Sequence, residues 1–233
     1  YLVAKGLVRA SLAVVGEPTS LQPVLAAKGT LRGRVTVLGR AAHSSMPERG
    51  VNAIRHAAHL VERLSRMRFD ARHPLLGRPT LVVTKIHGGV RSNVVPPECV
   101  IEFDRRILPG EKPAQLRREI NAAVAEVRRA HPDFKARIEY GVFAPPSEIP
   151  GESEVVRLAE EALRAGGFSP RRMALPGTTD ARFLIHSARI PSLILGPGDL
   201  AQAHAANEHV RVEELQEAGR LYARMLGSFL ENS

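Results

Sequence analysis

The sequence predicts an α/β protein in which a ferredoxin-like domain interrupts a partial parallel-sheet domain. Three observations carry that reading. Residues 30–145 give the order β-α-β-β-α-β, the plan of a split βαβ unit with a four-stranded antiparallel sheet and two helices on one face. The residues after 145 alternate helix and strand, the pattern of a layer built on a parallel core. A short apolar stretch near the start has no partner of its own and fits that second layer. The expected division is residues 1–27 with 146–233 as one domain, and 28–145 as the insert.

The elements follow in order. Residues 7–15, LVRASLAVV, read as a short strand ended by Gly16. GEPTSLQPVLAAKG, with two prolines and no stable periodicity, is expected to be a loop. Thr30–Ala42 alternates and is rich in β-branched residues, so it reads as a strand. In GVNAIRHAAHLVERLSRM, Val51, Ile54, Ala58, Val61 and Leu64 recur at spacings of three and four, which predicts an amphipathic helix. PTLVVTKIHGG and PECVIEFDRRIL read as strands, KPAQLRREINAAVAEVRRA as a helix with proline in its first turn, and FKARIEYGVFAP as a strand. After the proline-rich APPSEIPGES come helix (SEVVRLAEEALRAGG), strand (RRMALPG), helix (TTDARFLIHS), strand (IPSLILGPG) and a long helix, residues 211–232. About three strands are expected in this outer block, a thin core.

Composition narrows the class. With 44% hydrophobic and 24% charged residues, the 233-residue chain reads as ordinary soluble globular protein. No apolar run approaches the roughly 18 residues that span a bilayer, and the start lacks the pattern of a secretory signal. No membrane partner is expected. The single cysteine, Cys99, precludes an internal disulfide, fits a reducing compartment and reads as a buried small hydrophobe. The net charge of +9 raises nucleic acid as a partner, but the arginines are interleaved with glutamates along helices and aromatic residues are 4%, so none is expected.

Several segments could carry chemistry. Glu17 follows a strand and a glycine, at the edge where α/β sheets gather ligands; a turn carboxylate is the alternative. His43 follows a strand and precedes a Ser-Ser-x-Pro turn, whose serines or Asn52 could cap the next helix. Arg105 and Arg106 point to opposite faces of their strand, so at most one need meet an anion. Gly177 opens a helix start with Thr178, Thr179 and Asp180, which either binds an anion or complements the helix dipole. His204 is an available imidazole, whereas His209, five residues on, is expected to begin the last helix.

Taken together, VVGEPTSLQPVLAAKG, GRAAHSSMPERGVNAI, GGVRSNVVPPECVIEFDRRILPGE, GTTDARFL and LGPGDLAQAHAANEHV resemble, in this order and over nearly the whole chain, the co-catalytic dizinc aminoacylase/deacetylase metallopeptidase family. The first two are most similar to its acetylornithine deacetylase branch. The resemblance implies that Glu17 is a ligand of one zinc and His204 of the other, and that His43 polarises the scissile carbonyl, often in the partner's site. It implies that Asn93 and Arg106 hold the substrate carboxylate and that Gly177 and Thr178 form a substrate-binding turn. It further implies two zinc ions per full-length site (cobalt being the substitute), a homodimer through the insert, and a cytoplasmic enzyme of arginine biosynthesis that converts N-acetylornithine to ornithine and acetate. Paired metals share and activate a hydroxide, a donor imidazole stabilises the oxyanion, and an arginine fork suits a carboxylate.

One departure is large. Family members carry a histidine ligand, a bridging aspartate, a general-base glutamate and a further carboxylate before the GEPT segment, whereas the 16 residues before Glu17 hold no His, Asp or Glu. That leaves one ligand per metal. The expectation is therefore a C-terminal portion of such an amidohydrolase, inactive and zinc-free on its own. The alternative is a truncated relative that serves as a dimerisation or ligand-binding module.

Overall fold

The computed structural model describes residues 1–231; Asn232, the end of the predicted last helix, lies outside the described residues. Along the chain the strands are β1 (Ala13–Val15), β2 (Val24–Ala27), β3 (Gly29–Leu38), β4 (Thr80–Gly88), β5 (Glu98–Ile107), β6 (Lys135–Ala144), β7 (Ser147–Glu148), β8 (Met173–Leu175) and β9 (Ser192–Ile194). The helices are α1 (Ala53–Ser65), α2 (Pro113–Ala130), α3 (Glu154–Ala165), α4 (Ala181–Phe183, continued by a π turn Leu184–Ala188) and α5 (Val212–Glu231). The chain forms two compact units. The first comprises residues 1–28, 74–76 and those from 145 onward; the second comprises 29–73 and 77–144.

The first unit is built on a five-stranded sheet in the order β1-β9-β2-β7, with β8 also on β2. The β1/β9 and β2/β8 pairs are parallel, as the alternation of elements predicts. However, β2 runs antiparallel to β9 and β7, so the sheet is mixed. The segment expected to be a loop supplies β2. Its four apolar residues are all buried, and a strand covered on both faces shows no alternation to read. In the predicted strand 7–15 only Ala13–Val15 is extended, because β9 offers partners only from Ser192 to Ile194. α3 buries Val155, Val156, Leu158, Ala159, Ala162 and Leu163, one stripe at helical spacing, against Leu193, Leu195 and the Leu221 face of α5.

The second unit is an antiparallel sheet in the order β4-β5-β3-β6, with α1 and α2 packed on one face. β3 and β5 pair without interruption from Gly29↔Ile107 to Leu38↔Glu98. β5 alternates cleanly: Cys99, Ile101, Phe103, Arg105 and Ile107 are buried, while Glu102, Asp104 and Arg106 face the open side. There the Glu102 carboxylate meets Arg34 and Lys85, and Asp104 meets Arg32 and Arg106. α1 buries Ala53, Ala57, Leu60 and Leu64. That stripe is offset from the predicted one. Ile54 is exposed and Val61 only partly covered, because small alanines let the helix approach the sheet with its larger apolar residues at the flanks.

Arg105 is fully buried, an unusual place for a guanidinium. Its Nη2 donates to Glu111 Oε1 at 2.6 Å and to Glu119 Oε2 at 3.4 Å, its Nη1 donates to the Arg106 carbonyl, and its plane stacks on Phe69. Glu111 also accepts from the Leu108 amide at 2.7 Å. Of the arginine pair, Arg105 is thus spent inside the fold. Cys99 is buried, and that burial pushes its thiol up in pKa.

Candidate functional site

The predicted site residues fall into groups within each unit. In the first unit, Glu17 lies just beyond the carboxyl end of β1, beside the loop that leaves β9. Parallel β1 and β9 end together, and the Leu195 amide donates to the Val15 carbonyl at 2.9 Å. Thr19, buried, then joins the two loops. Its Oγ1 accepts from the Gly196 amide at 3.1 Å, and its own amide donates to the Gly196 carbonyl at 3.2 Å. The Ser20 amide adds a bond to the Gly198 carbonyl at 2.7 Å. A side chain on Gly196 would meet the Glu17 carbonyl at 2.5 Å, so only glycine lets the loops close this tightly. α5 holds the same loop from the other side: Glu214 accepts from the Gly198 amide at 2.8 Å, and the Tyr222 hydroxyl donates to the Leu195 carbonyl at 2.6 Å.

His204 lies six residues beyond this clasp, exposed, with φ of 64°, a left-handed conformation that costs an L-residue energy and accompanies functional loops. Its amide donates to Glu208 Oε2 at 3.2 Å. His209 does not begin the last helix. α5 starts at Val212, and the His209 Nδ1 pairs with the Asn207 carbonyl in the preceding loop. Gly177 and Thr178 follow β8, which runs opposite to β1 and β9, so they sit at the other end of these short strands. Asp180 makes no side-chain cap and is exposed, while Arg182 donates to the Thr179 carbonyl at 2.7 Å.

In the second unit, the structure brings His43 and Asn93 together. The segments carrying them pair beyond the ends of β3 and β4: Ser44 donates to the Asn93 carbonyl at 3.0 Å, and Val95 to the Ala42 carbonyl at 2.8 Å, around the His43↔Val94 bridge. Gly39 allows this closure, since a Cβ there would lie 2.1 Å from the Val51 carbonyl. His43 is exposed and oriented. The Ser45 amide donates to its Nδ1 at 3.2 Å and Ser45 Oγ lies at 2.7 Å. A ring nitrogen that accepts from an amide carries no proton, so the neutral ring bears its proton on Nε2, which is left to donate outward. Of the residues considered as helix caps, Asn52 takes that role, accepting from the Arg55 amide at 3.1 Å. Arg106 lies at the far end of β5, level with Thr30 and Thr80, and its Nε pairs with Asp104 at 2.8 Å. It is therefore not joined to His43 and Asn93.

Among the described residues, no group of three or more His, Cys, Asp or Glu side chains is placed to hold a metal ion. Zinc sites take three or four protein ligands, so Glu17 and His204 do not suffice, and no chemical step can be built on a metal held by these residues alone. A 470 Å³ cavity lined by Leu12, Val14, Val155, Tyr222, Met225 and Phe229 among others is mostly apolar, with the Ser11 hydroxyl and the Tyr222 phenol as its polar side-chain groups. No described helix is long and apolar enough to cross a membrane.

The structure thus defines an α/β protein with an inserted two-helix, four-stranded unit and loop-borne Glu and His at strand ends. Residues 25–132 match the peptidase dimerisation domain. The chain is 32% identical over 235 aligned positions to acetylornithine deacetylase of Salmonella arizonae, and 28% identical to that of Photorhabdus laumondii. Both alignments cover 98% of this chain but only 60% and 59% of those enzymes. A metallo-carboxypeptidase of the M20 family from Sulfolobus solfataricus shares the fold, with a TM-score of 0.77, 18% identity, and coverage of 97% of this chain and 65% of that one. Over residues 25–132 the chain is thus similar to the peptidase dimerisation domain, and over nearly its whole length to acetylornithine deacetylases.

Sequence reasoning missed Thr19, Glu214 and Tyr222, and read Ser45 as a possible helix cap, whereas these residues hold the loops that carry Glu17 and His43. Their only sequence signal is position: Thr19 stands two residues past Glu17, Ser45 two past His43, and Glu214 and Tyr222 on α5, whose buried face carries Leu221.

Proposed function

We propose that the chain is the C-terminal portion of a metal-dependent amidohydrolase that releases the acyl group from an N-acyl amino acid, with N-acetylornithine, giving ornithine and acetate in arginine biosynthesis, as the preferred reading. The observation that carries it is the His43 loop: an exposed imidazole, held by Ser45 so that Nε2–H points outward, beside Asn93. A fixed donor of this kind suits an oxyanion developing on an amide carbon. Identity to acetylornithine deacetylases supports the substrate class. Asn93 and Arg106 bind the substrate carboxylate, Gly177 and Thr178 form a substrate turn, and Glu17 and His204 each contribute one ligand to a different zinc. Because the chain spans about 60% of those enzymes, the remaining ligands come from sequence beyond these residues. Residues 28–145 form the inserted domain of a cytoplasmic homodimer, supported by the dimerisation-domain match and by the edge strand β4, with Val82 and Ile86 exposed. The Arg106 position, at the opposite end of β5 from His43, suits a site that takes these groups from different subunits.

The test compares the 233-residue chain with a polypeptide carrying its upstream coding sequence, for zinc content and N-acetylornithine hydrolysis. The longer polypeptide should retain zinc and hydrolyse the substrate until chelated, and the shorter should do neither. Near-stoichiometric zinc with turnover in the shorter chain, or a zinc-loaded longer polypeptide inert toward N-acyl amino acids, would overturn the reading. The dimerisation-domain match favours a second reading of the chain by itself, a dimerisation or ligand-binding module without metal chemistry.

A further inference from the structure

Three histidines the site does not use meet where α1 packs against the end of α2. The His59 and His131 rings stack with centroids 4.0 Å apart and planes 13° apart, and His56 lies 6.4 Å from His59 and 6.0 Å from His131. Phe134 closes the group at 5.8 Å from His56. Two of the ring nitrogens, His56 Nδ1 and His59 Nε2, are buried with no hydrogen-bond partner. Nearly parallel rings cannot aim their lone pairs at one point, so the cluster is not a metal site, in keeping with the lack of any three-donor group among the described residues. A cavity of about 380 Å³ adjoins it, lined by Pro47, Gly50, Asn52, Arg55, His56 and His131 among others.

We propose that His56, His59 and His131 form a proton-operated latch. Uncharged, the packed rings hold the first turns of α1 to the turn between α2 and β6. Charged, they release that end of α1 and the loop of residues 43–52 that runs into it. The physical cause is direct. A proton added to a buried nitrogen without a partner creates a donor with nothing to accept it, and a second charge on a ring stacked 4.0 Å away is repelled at short range. The groups facing His56 are Arg55 and His59 on α1, and His131 and Asp133 from the α2–β6 turn. Only Asp133 opposes the repulsion. β3, β4 and β5 meet α1 with apolar side chains and the Cys99 thiol, and the Arg63–Glu126 pair lies farther along the two helices. Burial first, and then the neighbouring His131, His59 and Arg55, hold the His56 pKa below its ordinary value near 6.5. The unfolded chain therefore binds more protons just below that pH, and this part of the stability is present above about 6.5 and lost as pH falls through that value toward the folded pKa.

The experiment is amide hydrogen exchange on the 233-residue chain, read as protection factors corrected for intrinsic rates. Between pH 7.5 and 5.5, protection in residues 43–60 should fall at least tenfold while that of β5 amides holds within threefold. His131→Gln and His59→Gln should each reduce the fall to less than threefold. His87→Gln, on exposed β4, should leave it intact. Protection unchanged in the native chain, a full fall retained in both latch variants, or its loss in the His87 variant would each overturn the proposal.

Discussion

The buried Arg105–Glu111 pair makes a prediction whose sign depends on how it is broken. Arg105→Met fills much of the same volume but leaves the Glu111 carboxylate, 6% exposed, with only the Leu108 amide. Stranding one member of a buried pair costs about 3–5 kcal/mol, whereas replacing both with apolar residues is often neutral. For a chain of this size each kcal/mol moves Tm by about 2–4 °C, so the single variant should melt roughly 6–20 °C lower. The double variant Arg105→Met/Glu111→Leu should recover most of that. It keeps only a deficit of about 1 kcal/mol for the lost acceptor of the Leu108 amide. Thermal and urea unfolding followed by circular dichroism measure both. A single variant within 1 kcal/mol of the parent, or a double no more stable than the single, would refute the view that the paired charges set the balance.

Three other predictions follow from the same structure. Gly39→Ala, whose Cβ would press on the Val51 carbonyl, should cost about 1–3 kcal/mol or more, while Gly219→Ala, in open space on α5, should gain about 0.5–1 kcal/mol; urea midpoints decide both. Glu160 is held below the usual carboxylate range first by Arg172 and then by Arg164, so its contribution stands above about pH 4.5 and is lost as pH falls through the lowered value; Glu160→Gln should flatten the acid limb of the Tm–pH curve, and an unchanged limb would contradict it. In the longer polypeptide, His43→Ala should lower kcat about 10²–10³-fold with little change in KM, and steady-state kinetics showing an intact kcat would reduce His43 to a turn residue.

How much of this was legible in the sequence depended on what each segment is packed against. The second unit showed itself because its strands are covered on one side, so β5 alternates residue by residue and its partners align with it. β2 did not, because it is covered on both sides and its four apolar residues carry no period. The stripe of α1 was misplaced by one position, since alanines that let the helix come close score as weakly apolar while flanking Ile54 scores strongly. Of the candidate residues, His43, Asn93, Glu17 and His204 stood out by residue type and order. What holds the loops that carry His43 and Glu17 did not, because Ser44 meeting Asn93, or Thr19 meeting Gly196 across 177 residues, is a long-range pairing that leaves no local pattern. That Arg105 and Arg106 face opposite ways was readable from strand geometry, but which one the helices cover was settled only by packing against Phe69 and Glu111.

The second unit begins and ends side by side, Thr30 pairing with Ala144, while the first unit is split around it. On the ribosome this imposes a schedule. β1 and β2 emerge before the second unit, yet β7, β8 and β9, which pair with them, are translated only after the whole of it. The inserted unit can therefore finish folding during synthesis, while the apolar β2 waits, still without its partners, as a segment for chaperones to shield.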